Sequence, residues 1–194
     1  MIIDRLDLDR QTPLWFAMQA TQRREVRAQE LLREDGVESF VPMSSAVEIK
    51  GGRKSLVVKP AIANLMFVHA SINYMQDVKL RVPFLQFKYT TEGGLYRPMV
   101  VPEKQMEDCI KLYDSTPQEE LTFLDPSDPA LLKGERVKIH SKGSMLDGVE
   151  GRLVKIKGRR NRQLSISAGN LITVVAAIDI DLVEVIKEIK QKQK

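Results

Sequence analysis

Gly134-Glu-Arg-Val-Lys-Ile139 and Gly148-Val-Glu-Gly-Arg-Leu-Val-Lys-Ile156 decide the fold of the second half of the chain. In both segments a glycine precedes a run in which β-branched and charged residues alternate, the pattern of a half-buried strand after a turn. Glycine at such points allows tight turns and a close approach between strand backbones. Similar short runs follow at 163–166, 171–175 and 182–186. Five short strands within about 55 residues predict a small β-barrel.

A change in charge marks where this barrel domain begins. Residues 103–128 carry a net charge of −6 and residues 133–162 a net charge of +7, within a chain of 194 residues whose net charge is +4. The segment between them is rich in proline and small polar residues, which favours an extended linker. The sequence predicts a first domain at 12–113, a linker at 114–131, a barrel domain at 132–186 and loosely held chain ends.

The first domain has the sequence pattern of an α+β sandwich. Leu14-Trp-Phe-Ala-Met18 is suited to a buried strand, and Thr21 is placed to cap a helix over 22–35. Gly51-Gly52 between two alternating runs predicts a β-hairpin. Further strands are predicted at 37–41, 62–68 and 84–89, and helices from Ser71 to Leu80 and at 102–113. This order predicts helices packed on a mainly antiparallel sheet.

Composition argues against several classes of protein. The longest apolar run, 171–178, is far shorter than the roughly 18 residues of a membrane span, and no secretory signal is recognisable at the N-terminus. We therefore expect a cytoplasmic protein with no membrane partner. One cysteine and two histidines are too few for a disulfide or a structural zinc site, and no cofactor is expected. No motif places a nucleophile beside His69 or His140, and Cys109 falls on the apolar face of its predicted helix, so no enzyme is expected.

The two halves together resemble a known family. The glycine-led barrel segments resemble the KOW motif of transcription elongation factors and some ribosomal proteins. The first domain is similar to the N-terminal domain of NusG in Leu14-Trp-Phe-Ala-Met18, Phe40-Val-Pro-Met43 and Lys59-Pro-Ala-Ile-Ala-Asn-Leu-Met-Phe-Val68. Within that family Arg27-Ala-Gln-Glu30 and Val41-Pro-Met43 look closer to the RfaH type, and nearest to the UpxY-like antiterminators of capsular polysaccharide operons. Where the family usually shows an aromatic-Pro-Gly/Asn-Tyr sequence, this chain has Ile62-Ala-Asn-Leu65.

This resemblance implies transcription antitermination. The first domain would dock an apolar depression on the coiled-coil clamp helices of RNA polymerase, with Ile62, Leu65 and Phe67 at the matching positions and Trp15 beside or beneath them. An exposed apolar patch with a polar rim can hold a pair of helices. Alternatively these side chains are core of the sheet, because alternate residues of a strand point inward. Leu65 and Phe67 should share a face, whereas Ile62 joins them only if the strand begins irregularly.

Two groups of basic residues are candidate nucleic-acid contacts. The resemblance implies that the start of the first helix touches non-template DNA, and Arg23, Arg24 and Arg27 occupy that region. Arg23 and Arg27, four positions apart, would share a helix face. The alternative is an ordinary solvated helix surface. The barrel offers a second group, which could follow an RNA or DNA backbone: Lys155, Lys157, Arg159, Arg160 and Arg162.

Two functions remain open from the sequence. The first is a monomeric antitermination factor that binds RNA polymerase, whose KOW domain, as the resemblance implies, recruits a ribosomal protein or a termination factor. The second is an RNA- or ribosome-binding module that uses the basic barrel. The first predicts salt-tolerant binding by residues 14–89, and the second predicts binding by residues 133–162 that falls steeply with salt. The first domain favours antitermination.

Overall fold

The computed structural model describes residues 10–92 and 94–186. These residues fall in two compact units divided between Met106 and Glu107, and each unit is described by itself. Most of the chain ends predicted to be loosely held, 1–9 and 187–194, lie outside the described residues. The predicted combination of an α+β first half and a strand-rich second half is confirmed.

The first unit is built on an antiparallel sheet whose central strand is β1 (Leu14–Ala20). β1 pairs with β5 (Leu65–Ala70) in a register that runs from Leu14 opposite Ala70 to Gln19 opposite Leu65. The shorter strands of the sheet are β2 (Ser39–Phe40), which pairs with β5, and β6 (Leu85–Phe87) and β9 (Val100–Val101), which pair with β1. The apolar run at 14–18 is therefore the central strand, where both faces can be covered.

Two helices, α1 (Glu25–Glu34) and α2 (Ile72–Arg81), contribute to the core on one face of this sheet. Ser71 caps α2 as predicted, because its Oγ accepts the backbone N–H of Tyr74 at 3.2 Å. α1 begins at Glu25 and not at the predicted position 22, because Gln22 and Arg23 have left-handed backbone angles (φ 60° and 56°). The core contains Phe16, Met18, Met66 and Val68 from the sheet and Ala28, Leu32, Met75 and Val78 from the helices.

A polar contact joins the C-terminal end of α1 to residues in the first and last turns of α2. The Oδ2 of Asp35 accepts hydrogen bonds from the hydroxyl of Tyr74 and from Nη2 of Arg81, both at 2.7 Å. The hydrogen bond from Arg81, followed by that from Tyr74, lowers the pKa of Asp35. Partial burial, followed by the hydrogen bond to Asp35, raises the pKa of Tyr74 to about 12.

This contact makes the stability of the protein sensitive to alkaline pH. The folded state holds the phenolic proton of Tyr74 more tightly than the unfolded chain, whose tyrosine pKa is about 10. The resulting stabilisation is complete below about pH 10 and is lost as the pH rises toward 12. We expect the urea midpoint of the natural chain to fall more steeply over this range than that of Tyr74→Phe. Tyr113→Phe is the control, because the hydroxyl of Tyr113 accepts a hydrogen bond from Gln118 and does not donate to a carboxylate in that bond. This variant should keep the slope of the natural chain. Equal slopes for the natural chain and Tyr74→Phe would contradict the prediction.

Two separate two-stranded sheets complete the first unit. They are the hairpin of β3 (Met43–Lys50) with β4 (Arg53–Pro60) and the hairpin of β7 (Tyr89–Glu92) with β8 (Leu95–Pro98). Gly51 and Gly52 form the turn of the first hairpin with φ values of 56° and 75°, as a two-residue turn of left-handed residues requires. The hairpin predicted from these glycines is confirmed. The strand predicted at 84–89 is instead divided between β6 and β7.

Helix α3 (Glu103–Asp114) agrees with the predicted helix at 102–113 and crosses the division between the two units. Cys109 is buried on it, and burial, with a smaller effect of Asp108, raises the pKa of the thiol to about 12. The thiol is therefore protonated at neutral pH, in keeping with the packed core residue predicted. Within the second unit Asp108 is itself buried, and its Oδ2 accepts the backbone N–H of Glu150 at 3.1 Å.

The second unit contains one antiparallel sheet of six strands in the order β10-β14-β13-β12-β11-β15. All five predicted strands are present: β11 (Glu135–Ile139), β12 (Glu150–Val154), β13 (Gln163–Ala168), β14 (Ile172–Ala177) and β15 (Val183–Val185). Their register places Val137, Leu164 and Val174 on one face, where all three are buried. On the other face Val154 and Val175 pack with Leu131.

The segment predicted to be a linker, 114–131, is not extended throughout. β10 (Thr122–Leu124) pairs with β14, with Phe123 opposite Val174. α4 (Pro129–Leu132) is a short helix capped by Asp128, whose Oδ1 accepts the N–H of Ala130 at 2.8 Å. Proline and small polar residues favour a linker, but strand pairing along β14 satisfies the backbone groups of 122–124 and outweighs composition. The domain boundaries at 113 and 132 stay predictions.

Candidate functional site

Three of the four apolar residues predicted to contact polymerase, Trp15, Leu65 and Phe67, lie on the sheet face opposite α1 and α2 and are buried. Trp15, Leu65 and Phe67 expose 2%, 3% and 0% of their surface. Leu65 and Phe67 share a face as predicted, and Phe67 stacks on Phe40 with ring centroids 6.3 Å apart. The expectation of an exposed patch is therefore wrong for Leu65 and Phe67, whereas the burial of Trp15 is compatible with the position beside or beneath the patch that was expected for it. Strand alternation identified their face but not whether that face is covered.

Ile62 is the member of this group that remains partly exposed. It lies in the turn before β5, and its carbonyl accepts the N–H of Leu65 at 3.4 Å. Ile62 is therefore not on the strand, which begins at Leu65 and not at the predicted position 62. Its side chain is the accessible one of the four residues.

A polar cluster borders the buried indole of Trp15. The ring of His69 stacks on Trp15 at 5.0 Å between centroids, and the Trp15 Nε1–H donates to Oε1 of Glu103 at 3.3 Å. Nδ1 of His69 lies 3.4 Å from Oε2 of Glu38, and Nε2 lies 3.4 Å from Oε2 of Glu103. His69 is thus held between two carboxylates and an aromatic ring, which is a structural role. His140, in the second unit, lies beside Glu184.

The three arginines near the start of α1 do not form the predicted basic face. Arg23 precedes the helix, so it does not share a helix face with Arg27. The Nε–H of Arg24 donates to the carbonyl of Thr21 at 3.2 Å, and its guanidinium lies 4.1 Å from the centroid of the Phe84 ring. Arg27 forms an exposed ion pair with Glu30 at 3.2 Å. Arg23 is thus the arginine of this group with no side-chain partner among the described residues.

The turn that carries Arg23 is held by residues far away in the sequence. The backbone N–H of Arg23 donates to Oδ1 of Asn64 at 2.7 Å, and the N–H of Asn64 donates to Oε1 of Glu25 at 3.2 Å. Asn64 also has a left-handed backbone (φ 64°). Glu25 is 1% exposed, and its Oε2 has no hydrogen-bond partner among the described residues. These contacts fix two adjacent left-handed residues that would otherwise be strained.

The basic residues predicted for the barrel lie together in the second unit, on the loop between β12 and β13, and all are exposed. Three of them also contact this unit: Lys155 donates to the carbonyl of Arg160, Arg159 to Oγ1 of Thr122 and Arg162 to the carboxylate of Glu135. The side chains of Lys157 and Arg160 have no such partner among the described residues. The predicted basic surface is therefore present, with two cations fully available to an anionic ligand.

One exposed surface was not predicted from the sequence. Val47, Ile49, Leu56 and Val58, on the β3–β4 hairpin, are 54–67% exposed. The sequence contains the pattern that indicates this surface. Apolar residues stand at every second position on each side of the glycine turn, at Val47 and Ile49 before it and at Leu56 and Val58 after it. Each strand of a two-stranded sheet buries little by itself, so this alternation predicts an apolar face that needs a partner.

The family profile described as "Transcription termination factor nusG" matches residues 13–110, slightly more than half of the chain. Among solved structures, one titled "Domain interaction in Thermotoga maritima NusG" is 18% identical, with a TM-score of 0.42, and the alignment covers 91% of this chain and 98% of that one. No curated protein matches the chain.

The profile match spans the segments from which the first unit is built, from β1 with Trp15 to helix α3. Over residues 10–92 and 94–186, no helix is long and apolar enough to cross a membrane. In the same ranges no group of three or more His, Cys, Asp or Glu side chains could hold a metal ion. The match over residues 13–110, together with the fold of that segment and the strand-rich unit that follows it, shows that the chain belongs to the NusG family of transcription factors.

Proposed function

We propose that this protein is an elongation and antitermination factor that binds the clamp helices of RNA polymerase through its first unit and suppresses pausing or termination. The observation that carries the proposal is the family match over 13–110, the segment that contains the apolar residues Trp15, Leu65 and Phe67 on one sheet face. Proteins of the NusG family bind RNA polymerase. An apolar face on a rigid sheet is suited to packing against a pair of helices.

The burial of these residues determines how such a contact begins. Trp15, Leu65 and Phe67 are at most 3% exposed, so a partner cannot reach them in this conformation. Ile62, at the edge of the same region, is accessible from solvent. We propose that the polymerase first contacts Ile62 and that Leu65 and Phe67 contribute after the face has been uncovered.

Ile62→Glu tests this contact. The charge would be placed in an apolar interface without a partner, and we expect the affinity of the full chain for purified RNA polymerase core to fall at least about tenfold. Leu80→Glu is the matched control, because Leu80 is 84% exposed on α2 of the same unit. Binding is measured at low and high salt, and circular dichroism checks that both variants are folded.

Each outcome decides between the two functions. Salt-tolerant binding that Ile62→Glu weakens and Leu80→Glu leaves unchanged supports docking of the first unit. Binding that falls steeply with salt and is lost in Lys157→Ala/Arg160→Ala supports the alternative, an RNA- or ribosome-binding KOW module, which the two available cations of the barrel loop favour. Absence of polymerase binding by the natural chain would contradict the proposal.

The specialised role is also part of the proposal. The resemblance of residues 27–30 and 41–43 to UpxY-like antiterminators suggests that the factor serves particular operons, those for surface polysaccharides. Arg23 is then the arginine best placed to contact non-template DNA, and the KOW domain recruits a ribosomal protein or a termination factor to a monomeric protein. Deletion of the gene should lower transcripts from the distal part of such operons and leave most other transcripts unchanged.

A further inference from the structure

The β3–β4 hairpin, residues 43–60, is long and pairs with no other strand of the described residues. β3 and β4 pair from Met43 opposite Pro60 to Lys50 opposite Arg53, and they form a sheet of two strands. Eight residues per strand give a ribbon about 26 Å long at 3.3 Å per residue. An isolated ribbon of two strands is marginally stable in water. A hairpin of this length therefore gains stability when a partner covers it.

One face of this ribbon is apolar and exposed. Val47 lies directly opposite Leu56. On the same face, Ile49 is the next residue of β3 toward the turn, and Val58 is the next residue of β4 away from the turn, opposite Ser45. Their exposed fractions are 63%, 67%, 67% and 54% for Val47, Ile49, Leu56 and Val58. Single exposed aliphatic residues are common on protein surfaces, whereas a contiguous group marks an interaction site. We call these four residues the hairpin face.

The tip of the hairpin carries uncompensated positive charge. Lys50, Arg53 and Lys54 surround the turn, and no ion pair of theirs is found among the described residues. The acidic residue of the hairpin, Glu48, is already paired with Lys59 at 3.2 Å. A partner that covers the hairpin face and also meets the tip should therefore present carboxylates beside an apolar surface.

The area of the hairpin face restricts the kind of partner. Four aliphatic side chains at this exposure present roughly 400 Å². Two hairpin faces packed together would bury about 800 Å² in total, below the roughly 1,200 Å² of a stable specific interface. The two tips would also carry charges of the same sign. A second copy of this chain is therefore disfavoured, and so is a nucleic acid, because phosphates would engage the tip but leave the hairpin face in water.

We propose that the hairpin face docks on an apolar strip flanked by carboxylates on RNA polymerase, as a second contact that adds to the one made by the sheet of the first unit. The inference rests on the proposed function, since it takes the polymerase as the partner. A contact of this size adds affinity when a larger interface already holds the two proteins together. The tip supplies orientation, because its three cations meet acidic groups on one side of the strip.

The test uses the full chain and purified RNA polymerase core. Val47→Thr/Ile49→Thr/Leu56→Thr replaces the apolar side chains with threonine, a polar β-branched residue that favours strands, so the hairpin remains folded. We expect this triple variant to bind polymerase 5- to 30-fold more weakly, mainly through faster dissociation. Ala46→Thr/Val57→Thr is the matched control, because Ala46 and Val57 are paired on the opposite side of the same ribbon; it should bind as the natural chain does. Lys50→Glu/Arg53→Glu/Lys54→Glu should weaken binding most at low salt.

Several outcomes would overturn the inference. If the natural chain binds polymerase and the triple variant binds equally well, the hairpin contact is wrong while the proposed function stands. If the natural chain does not bind polymerase, both are wrong. If the natural chain sediments as a dimer that the triple variant abolishes, the hairpin face is an interface between copies. If Lys50→Glu/Arg53→Glu/Lys54→Glu weakens polymerase binding while the triple threonine variant does not, and if it also lowers binding to a 40-base-pair DNA duplex, the hairpin is a nucleic-acid contact.

Discussion

Replacing Phe67 with alanine is expected to lower the free energy of unfolding of the first unit by about 4 kcal/mol. Phe67 lies on β5 with none of its surface exposed, and it stacks on Phe40. Truncation removes most of a buried aromatic side chain. It leaves a cavity that the surrounding side chains fill only partly, because the interior is closely packed. Urea unfolding followed by circular dichroism measures the change. Leu80→Ala, on the exposed side of α2, should change stability by less than about 0.5 kcal/mol.

This result decides how binding experiments on Phe67 are interpreted. A loss of that size can unfold a domain of marginal stability. Loss of polymerase binding in Phe67 or Leu65 variants then reports unfolding unless the variant is shown to be folded. If Phe67→Ala is as stable as the natural chain, the side chain is not core in solution, and an exposed docking residue becomes the better interpretation.

Replacing Gly151 with alanine is expected to destabilise the second unit by about 3 kcal/mol. A Cβ atom at Gly151 would lie 2.7 Å from the backbone oxygen of Ser165 and 2.8 Å from Cδ1 of Leu164. The Leu164 side chain can move, but the Ser165 carbonyl belongs to the neighbouring strand β13 and cannot move without disturbing the pairing with β12. Thermal unfolding of the full chain, followed by the NMR signals of residues in the second unit, measures the effect.

Gly158→Ala separates crowding from backbone conformation. Gly158 has a φ of 83° in the loop between β12 and β13, but a Cβ atom there would meet nothing within 4 Å. Its replacement should cost about 1 kcal/mol, from the left-handed backbone alone. If Gly151→Ala destabilises the protein no more than Gly158→Ala does, strands β12 and β13 do not approach each other as closely as described. The sequence already indicated close strand approach at the glycines of the KOW-like segment.

The elements predicted correctly have local signals. Ser71 caps α2 by accepting the N–H of Tyr74, only three residues further along the chain. Gly51 and Gly52 are adjacent and supply both left-handed residues of their turn. Short stretches of sequence are therefore enough to predict these two features. The start of α1 depends instead on Asn64, 41 positions from Arg23, which holds the turn before the helix. β10 depends on the open edge of β14. Such long-range partners cannot be identified from local composition.

The candidate site was predicted in part for the same reason. Strand parity places Leu65 and Phe67 on one face, but whether that face is covered depends on elements far away in the sequence. Arg23 and Arg27 are four positions apart, yet the helix begins between them. The basic loop after β12 was found because its charges are consecutive in the sequence. The hairpin face could have been predicted, since its alternation and its turn are both local.

The two open edges of the β3–β4 hairpin have a consequence for the behaviour of the protein in concentrated solution. Among the described residues neither strand pairs with a third strand, so both edges beside the apolar face offer a template on which strands of other molecules can add and aggregate. Lysine and arginine near such edges oppose this addition by mutual repulsion. Lys50, Arg53 and Lys54 lie where two incoming hairpins would meet tip to tip. The same charges that suit the hairpin to an acidic partner thus protect the free protein from self-assembly.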